Sequence, residues 1–131
     1  MTSVFYYAIV AGLQTEKNYP YRDAPSGYCK IRGGSYKIST YRSFITCQNI
    51  VNVLVSDGPV SASVYAKQWF HYHSGIFSCT YVPSLTSVDH AILITGITAE
   101  ANFIVKNSWG VHWGEEGYIV LDKNKNCNIC N

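Results

Sequence analysis

Two apolar runs separated by a short polar turn constrain the fold of this chain more than any other feature. The first run, residues 91–97, is almost entirely apolar, and the second, residues 102–106, begins after a few polar positions. A connection this short favours antiparallel pairing over the longer crossover that parallel strands need. His90 stands immediately before the first run and Asn107 immediately after the second. The sequence therefore predicts a β-hairpin with a histidine and an asparagine at its ends.

Two helices are predicted on the N-terminal side of this hairpin. Residues 1–11 place apolar side chains at helical spacing, and Gly12 is suited to end that helix. Residues 46–57 have a second apolar stripe, and the Gly-Pro pair at 58–59 would end it because proline cannot continue a helix. Helices followed by short strands predict an α+β fold.

Other strands are predicted at residues 36–41, 60–64 and 118–121, where apolar and β-branched residues are bounded by turn residues. Residues 13–36, rich in Tyr, Pro, Gly and Ser, predict an irregular connection. The short spacings between the later runs favour an antiparallel, β-rich module.

Composition narrows the class of protein. The 131 residues match the size of one domain, and the 14% of charged residues indicate a well-buried globular chain. A net charge of +2 without a Lys/Arg cluster excludes a nucleic-acid partner. No apolar run approaches the roughly 20 residues that cross a bilayer, so no membrane partner is expected. The opening residues also lack the pattern of a signal peptide.

His90 and Asn107 are the candidates for catalysis. An imidazole titrates near neutral pH and can accept and return a proton, whereas the alternative is a core histidine satisfied by a backbone carbonyl. An asparagine carbonyl can accept the second ring N–H of the histidine and fix its orientation, whereas the alternative is an ordinary turn residue. Trp109, two positions later, would cover that hydrogen bond from water.

The strings around these residues resemble those of the papain-like cysteine peptidases. Asn107 lies in Lys-Asn-Ser-Trp-Gly, followed by a second Trp-Gly pair that begins at Trp113, and His90 lies in Val-Asp-His-Ala. Residues 12–21, 58–61 and 74–77 also resemble segments of that family, in the same order along the chain.

The resemblance implies a right-hand domain with an antiparallel, barrel-like sheet and short helices over residues 13–131, and a remnant helix of the left domain over residues 1–12. In such enzymes a cysteine thiolate attacks a peptide bond, a histidine is its base and an asparagine orients the histidine. No cofactor and no metal are implied. The implied localisation is lysosomal, vacuolar or extracellular.

The nucleophile is the missing part of the pattern. The family's cysteine precedes its histidine by roughly 130–150 residues, a count that from His90 reaches back beyond Met1. The chain is therefore expected to be the C-terminal portion of an endopeptidase, inactive alone, whose partners are a peptide or protein substrate and an N-terminal peptidase half or other protein subunit. The alternative is a truncated, non-catalytic paralogue that serves as a binding or structural subunit.

The resemblance also assigns supporting positions. Trp113 would form a hydrophobic wall on the leaving-group side of the cleft. Met1, Ser63 and Val88 would lie around an apolar substrate pocket of moderate size.

Five cysteines, an odd number, favour an oxidising compartment and leave one thiol without an internal partner. Cys79 and Cys127 resemble a family disulfide, and Cys29 resembles a cysteine whose partner lies in the N-terminal half. The pairing of Cys47 and Cys130 stays open between a mutual bond and buried free thiols.

The remaining polar candidates are given structural roles. His71 and His73 alternate along the chain, but two histidines without a third ligand are more often wall residues than a metal site. Glu115 and Glu116 are predicted to be solvated turn residues.

Overall fold

The computed structural model describes residues 2–22, 28–84 and 86–130 and has two compact units, residues 1–43 and 44–131. The boundary predicted from the sequence after residue 12 separates a left-domain helix from the right-hand domain of the family. It stays a prediction. The helices are α1 (Thr2–Val10) and α2 (Cys47–Ser56), and the strands are β1 (Val60–Val64), β2 (Ile76–Phe77), β3 (His90–Ile97), β4 (Phe103–Lys106) and β5 (Tyr118–Leu121).

Both predicted helices are confirmed. Gly12 follows α1 with a φ of 82°, a left-handed conformation in which it donates its N–H to the Tyr7 carbonyl. The Thr46 side chain caps α2 by accepting a hydrogen bond from the backbone N–H of Asn49.

The strand predicted at residues 36–41 is wrong. Only Tyr36 pairs with another segment, through a single bridge to Leu13. Leu13 donates to the Tyr36 carbonyl over 2.7 Å and accepts from its N–H over 3.2 Å. Within the described part of the first unit no strand continues this pairing. Residues 36–41 therefore lack a partner strand and do not form one themselves.

The second unit is built on a mixed, five-stranded sheet in the order β1-β3-β4-β5-β2. The pairs β1–β3, β3–β4 and β4–β5 are antiparallel, as the short connections predicted, whereas β2 pairs parallel with β5. The α+β class is confirmed. The two-residue β2 was not predicted, because two residues carry no periodicity.

The core of this unit lies between the sheet, α2 and the C-terminal turn. Its fully buried members include Val64, Trp69, Ile94, Phe103 and Cys127. The β3–β4 register shifts between Ile94 and Gly96, whereas the pairing of β3 with β1 is regular as far as His90. No helix among the described residues is long and apolar enough to cross a membrane.

Candidate active site

The β-hairpin brings His90 and Asn107 into direct contact. His90 is the first residue of β3 and is paired with Val64 of β1, while Asn107 follows β4 directly. The backbone N–H of Asn107 donates to the Gly117 carbonyl over 2.9 Å, which fixes the end of β4. The result is a distance of 2.8 Å between Nε2 of His90 and Oδ1 of Asn107.

This contact selects one histidine tautomer. Oδ1 of Asn107 also accepts the backbone N–H of Ser108 over 2.8 Å, which identifies this atom as the amide oxygen. Because an amide oxygen only accepts, Nε2 of His90 must carry the proton, and Nδ1 of the neutral ring keeps its lone pair. Nδ1 has no hydrogen-bond partner in the part of the chain that the structure describes, so it is open to a reacting group.

Two indoles hold the imidazole in place. The Trp109 ring lies 5.1 Å from the His90 ring at 37°, and the Trp69 ring meets it edge-on at 6.3 Å. The Asn107 amide nitrogen is buried and has no partner among the described residues. Trp109 thus occupies the place expected of a cover over the His90–Asn107 pair, and its function as a cover stays a prediction.

Trp69 is the centre of this aromatic cluster, and sequence reasoning missed it. It is fully buried, and it packs against Trp113 at 6.2 Å and against Trp109 at 6.4 Å. Its carbonyl accepts the indole N–H of Trp113 over 3.2 Å. Its own indole N–H donates to Sγ of Cys127 over 3.4 Å. Trp113 therefore buttresses the cluster, and its predicted contact with substrate is untested.

An open cavity of about 470 Å³ adjoins the imidazole, and its lining residues are Ala66, Lys67, Phe70, Asp89, His90 and Trp109. Phe70 stacks on Trp109 at 5.1 Å and 8°, although two-thirds of its surface is exposed. Sequence reasoning did not select Phe70 because its stacking partner is 39 positions away. The only signal for it was its position next to Trp69.

The predicted pocket residues lie elsewhere. Ser63 is half-buried and is paired with Ala91, the residue after His90. Val88 is 42% exposed and precedes β3. Neither of them lines the cavity beside His90, and Met1 lies outside the described residues. Their role in a substrate pocket stays a prediction.

Glu115 has a structural role that the sequence-based prediction of a solvated turn residue did not include. Its Oε1 accepts the backbone N–H of Gly75 over 2.6 Å and the hydroxyl of Tyr72 over 3.2 Å. Burial, opposed by a hydrogen bond with Val120 and reinforced by the Glu115 charge, raises the pKa of Tyr72. Glu115 is exposed in its turn, as predicted, and its carboxylate in addition joins two segments of the chain.

Two disulfides cross-link the second unit. Cys79 and Cys127 form the bond that the family resemblance implied, and Cys47 and Cys130, whose pairing was left open, form the other. Cys29 is an exposed free thiol in the first unit.

The remaining histidines are exposed, and these are His71, His73 and His112. Among the described residues no group of three or more His, Cys, Asp or Glu side chains is placed to hold a metal ion.

A family model for the papain family cysteine proteases matches residues 1–131, so the chain belongs to that family. Members of the family are peptide-bond hydrolases that use a cysteine nucleophile.

Similar proteins agree with this assignment. The chain is 36% identical over 132 residues to Cysteine proteinase 1 of Dictyostelium discoideum, covering 92% of this chain and 38% of that protein. It is 33% identical over 144 residues to Cathepsin S of Bos taurus, covering 100% of this chain and 42% of that protein. The chain therefore spans about two-fifths of the length of these curated relatives.

Solved structures show the same fold. Digestive procathepsin L 3 from the larval midgut of Tenebrio molitor superposes with a TM-score of 0.84 at 26% identity, covering 98% of this chain and 45% of that one. Bromelain protease of Ananas comosus, in complex with the inhibitor E64, superposes with a TM-score of 0.75 at 30% identity, covering 96% and 63%.

Proposed function

We propose that this chain supplies the general base His90 and the orienting residue Asn107 to the active site of a cysteine endopeptidase. The observation that carries the proposal is the 2.8 Å contact between Nε2 of His90 and Oδ1 of Asn107. It leaves Nδ1 as the basic nitrogen, on a ring that two indoles hold in place.

The proposed chemistry follows from that tautomer. Nδ1 of His90 takes the proton of a cysteine thiol, and the thiolate attacks the carbonyl carbon of the substrate. The imidazolium then gives the same proton to the leaving amine. Throughout both transfers Nε2–H stays bonded to Asn107, which keeps Nδ1 directed at the reacting atoms without adding a fixed charge.

The nucleophile belongs to another segment in this proposal. Four of the five cysteines are in disulfides, whose sulfurs cannot act as thiolates. The remaining thiol, Cys29, stands in the string Gly-Tyr-Cys-Lys-Ile, which does not resemble the family's Cys-Gly-Ser-Cys-Trp string around the nucleophile. The 131 residues alone are therefore expected to have no peptidase activity.

The surface of the first unit supports a protein partner. Among its described residues only Ala8 and Gly12 are buried. Its large exposed hydrophobic residues are Val4, Tyr6, Tyr7, Val10, Leu13, Tyr21, Tyr28, Ile31, Tyr36, Ile38 and Tyr41. A unit of this size with so little buried surface does not fold stably alone, and large apolar patches mark partner sites. We propose that the segment carrying the nucleophile covers this surface.

The disulfides support an oxidising compartment, since such bonds persist outside the reducing cytosol. A lysosomal, vacuolar or extracellular location is proposed on that ground and on family membership.

A chimera tests the catalytic proposal. The part of the Dictyostelium discoideum relative that this chain does not match is joined to residues 1–131, and hydrolysis of a fluorogenic peptide is measured. The wild-type chimera should be active and should lose activity on thiol alkylation. The His90→Ala chimera should be at least about 100-fold slower, whereas His112→Ala, an exposed histidine outside the cluster, should match wild type.

Equal rates for the His90→Ala and wild-type chimeras would contradict the role of His90. A folded, inactive wild-type chimera would instead favour a non-catalytic paralogue. Circular dichroism and two intact disulfides establish folding in either case.

A further inference from the structure

Both disulfides of the second unit end on one short turn, and this turn takes no part in the proposed peptidase chemistry. Cys127 and Cys130 are three positions apart in the string Cys-Asn-Ile-Cys. Cys127 is bonded to Cys79 and Cys130 to Cys47. We infer that the Cys127–Cys130 turn is a thiol–disulfide exchange site, where reduction of Cys47–Cys130 by an external dithiol leads to a Cys127–Cys130 bond and a free Cys79.

The accessibility of the two bonds sets the order of events. Cys79, Cys127 and Cys130 are 6%, 1% and 7% exposed, whereas Cys47 is only half-buried. An external thiol therefore reaches the Cys47–Cys130 bond first, at its Cys47 end, since thiol–disulfide exchange needs direct access to a sulfur.

All four bonded cysteines line a single open cavity of about 650 Å³, together with Lys123 and Lys125. The ammonium groups favour thiolates in this cavity. Cys47 is also the first residue of α2, where the helix N-terminus stabilises a departing thiolate. The side-chain amide of Asn126 donates to Sγ of Cys47 over 3.4 Å and to Sγ of Cys130 over 3.7 Å. The bond expected to open first thus lies among groups that stabilise its thiolate products.

Noncovalent contacts hold the turn when its bonds open. The Cys127 carbonyl accepts the backbone N–H of Tyr65 over 2.8 Å. The Asn128 side chain donates to the carbonyls of Ser84 and Ser87 over 2.6 and 3.3 Å. Cys127 and Asn128 have φ values of 58° and 67°, left-handed conformations that these contacts maintain. The two cysteines therefore remain neighbours after reduction.

The proposed exchange is balanced. A dithiol R(SH)₂ reduces Cys47–Cys130 to two thiols and is itself oxidised to the cyclic disulfide. The Cys130 thiolate, after loss of its proton to water, attacks Sγ of Cys127. The new Cys127–Cys130 bond forms as the Cys79–Cys127 bond breaks, and the Cys79 thiolate takes up a proton from water. The net change is the addition of two electrons and two protons to the chain.

The exchange would change the contacts of Trp69, which packs against His90 in the candidate active site. Sγ of Cys127 accepts the indole N–H of Trp69, and the Trp69 ring contacts His90 edge-on. When this sulfur turns towards Cys130, Trp69 loses its acceptor. The exchange therefore links the redox state of the cavity to the packing of the proposed general base.

Partial reduction of the full chain tests the inference. The exposed thiol of Cys29 is first blocked with N-ethylmaleimide, and the protein is treated with limiting dithiothreitol, quenched in acid, alkylated with iodoacetamide and digested with trypsin. Cleavage after Lys125 releases residues 126–131, which contain both cysteines of the turn. The expected two-electron-reduced species has alkylated Cys47 and Cys79 and an unalkylated 126–131 peptide, 2 Da lighter than its dithiol. Alkylation of Cys47 and Cys130 with Cys79–Cys127 intact would overturn the inference.

Two single variants provide a matched comparison without a reductant. Cys47→Ser and Cys130→Ser remove the same disulfide but leave different thiols. Cys47→Ser should label at Cys79 in more than about half of the molecules, because Cys130 completes the exchange. Cys29 labels in both variants, and within the second unit Cys130→Ser should label at Cys47 alone. Labelling of the second unit of Cys47→Ser only at Cys130 would contradict the exchange, and the wild-type experiment decides the question should either variant not fold.

Discussion

Nε2 of His90 and Oδ1 of Asn107 lie 2.8 Å apart, although 17 positions separate the two residues in the chain. The contact depends on the hairpin, because β3 begins at His90 and β4 ends one residue before Asn107. The same Oδ1 accepts the N–H of Ser108, so one side chain satisfies both a ring donor and a backbone donor. The side chain of Asn107 thus both orients the imidazole and binds the backbone where the strand ends.

Asn107→Ala should change the tautomer of His90. Without the acceptor, nothing favours the Nε2–H tautomer of the neutral ring. The ¹⁵N chemical shifts should therefore move from those of a single Nε2–H form towards those of a mixture of the Nε2–H and Nδ1–H tautomers. Two donors also lose their partner, so the free energy of unfolding should fall by about 1–3 kcal/mol. Ser108→Ala is the control, because only the backbone of Ser108 joins this hydrogen bond; an unchanged tautomer in Asn107→Ala would contradict the assignment.

Removing either disulfide should lower the free energy of unfolding by a similar amount, but only one of the two removals should change the tryptophan emission. Cys79→Ala/Cys127→Ala opens a link with a sequence separation of 48, and Cys47→Ala/Cys130→Ala one of 83. Each double variant should lose about 4 kcal/mol of stability in chemical denaturation.

Tryptophan emission distinguishes these two variants. The first variant removes the sulfur that accepts the Trp69 indole N–H, whereas the second leaves this contact in place. Emission of the folded protein should therefore change in the first variant alone. An equal spectral change in both would show that the hydrogen bond to Cys127 is not the cause.

Asp122 should make stability depend on pH. Hydrogen bonds from the backbone N–H of Asn124 and from the Ser78 hydroxyl lower its pKa below the ordinary value of 3.8. A lowered folded-state pKa contributes stability above that ordinary value and loses it as the pH falls through the lowered pKa. Asp122→Asn should therefore be less stable than wild type at pH 7, with the difference disappearing as the pH falls through the lowered pKa.

Urea denaturation across that pH range measures the effect. The carboxylate accepts from three donors, the Ser78 hydroxyl and the backbone N–H groups of Asn124 and Lys125; Ser78→Ala removes one of them and should show a smaller difference of the same sign. A difference between wild type and Asp122→Asn that does not vary with pH would exclude a role for this carboxylate.

The hairpin and its two polar ends could be predicted from the sequence because they depend on local patterns. Long apolar runs fix the strands, and the Gly-Pro pair at 58–59 fixes the end of α2. The strings around His90 and Asn107 indicated a partnership between the two residues. Their 2.8 Å contact then required only that the two strands pair.

The surroundings of the site could not be predicted in the same way, because they depend on distant contacts. Trp69 contacts both His90 and Cys127, and Phe70 stacks on Trp109, yet no spacing along the chain marks these pairs. The strand predicted at residues 36–41 failed for the corresponding reason. A pattern specifies a strand only where another segment is present to pair with it.

Glu115→Gln tests the contact between the Trp-Gly turn and the segment before β2. The carboxylate accepts hydrogen bonds from the Gly75 N–H and the Tyr72 hydroxyl, and its charge helps to raise the pKa of Tyr72. The neutral amide keeps the shape but removes the charge, so the Tyr72 pKa should fall while remaining above 10.0, because burial is the larger cause. Weaker hydrogen bonds should also lower stability at pH 7 by about 1 kcal/mol.

The ¹³Cζ chemical shift of Tyr72 during an alkaline titration reports this pKa directly. Glu116→Gln is the matched control, because it removes the same charge one residue later in the same turn. It should leave the Tyr72 titration close to that of wild type. An equal fall in both variants would mean that the general charge of the turn, and not the Glu115–Tyr72 contact, sets the pKa. No change in Glu115→Gln would mean that burial alone raises it.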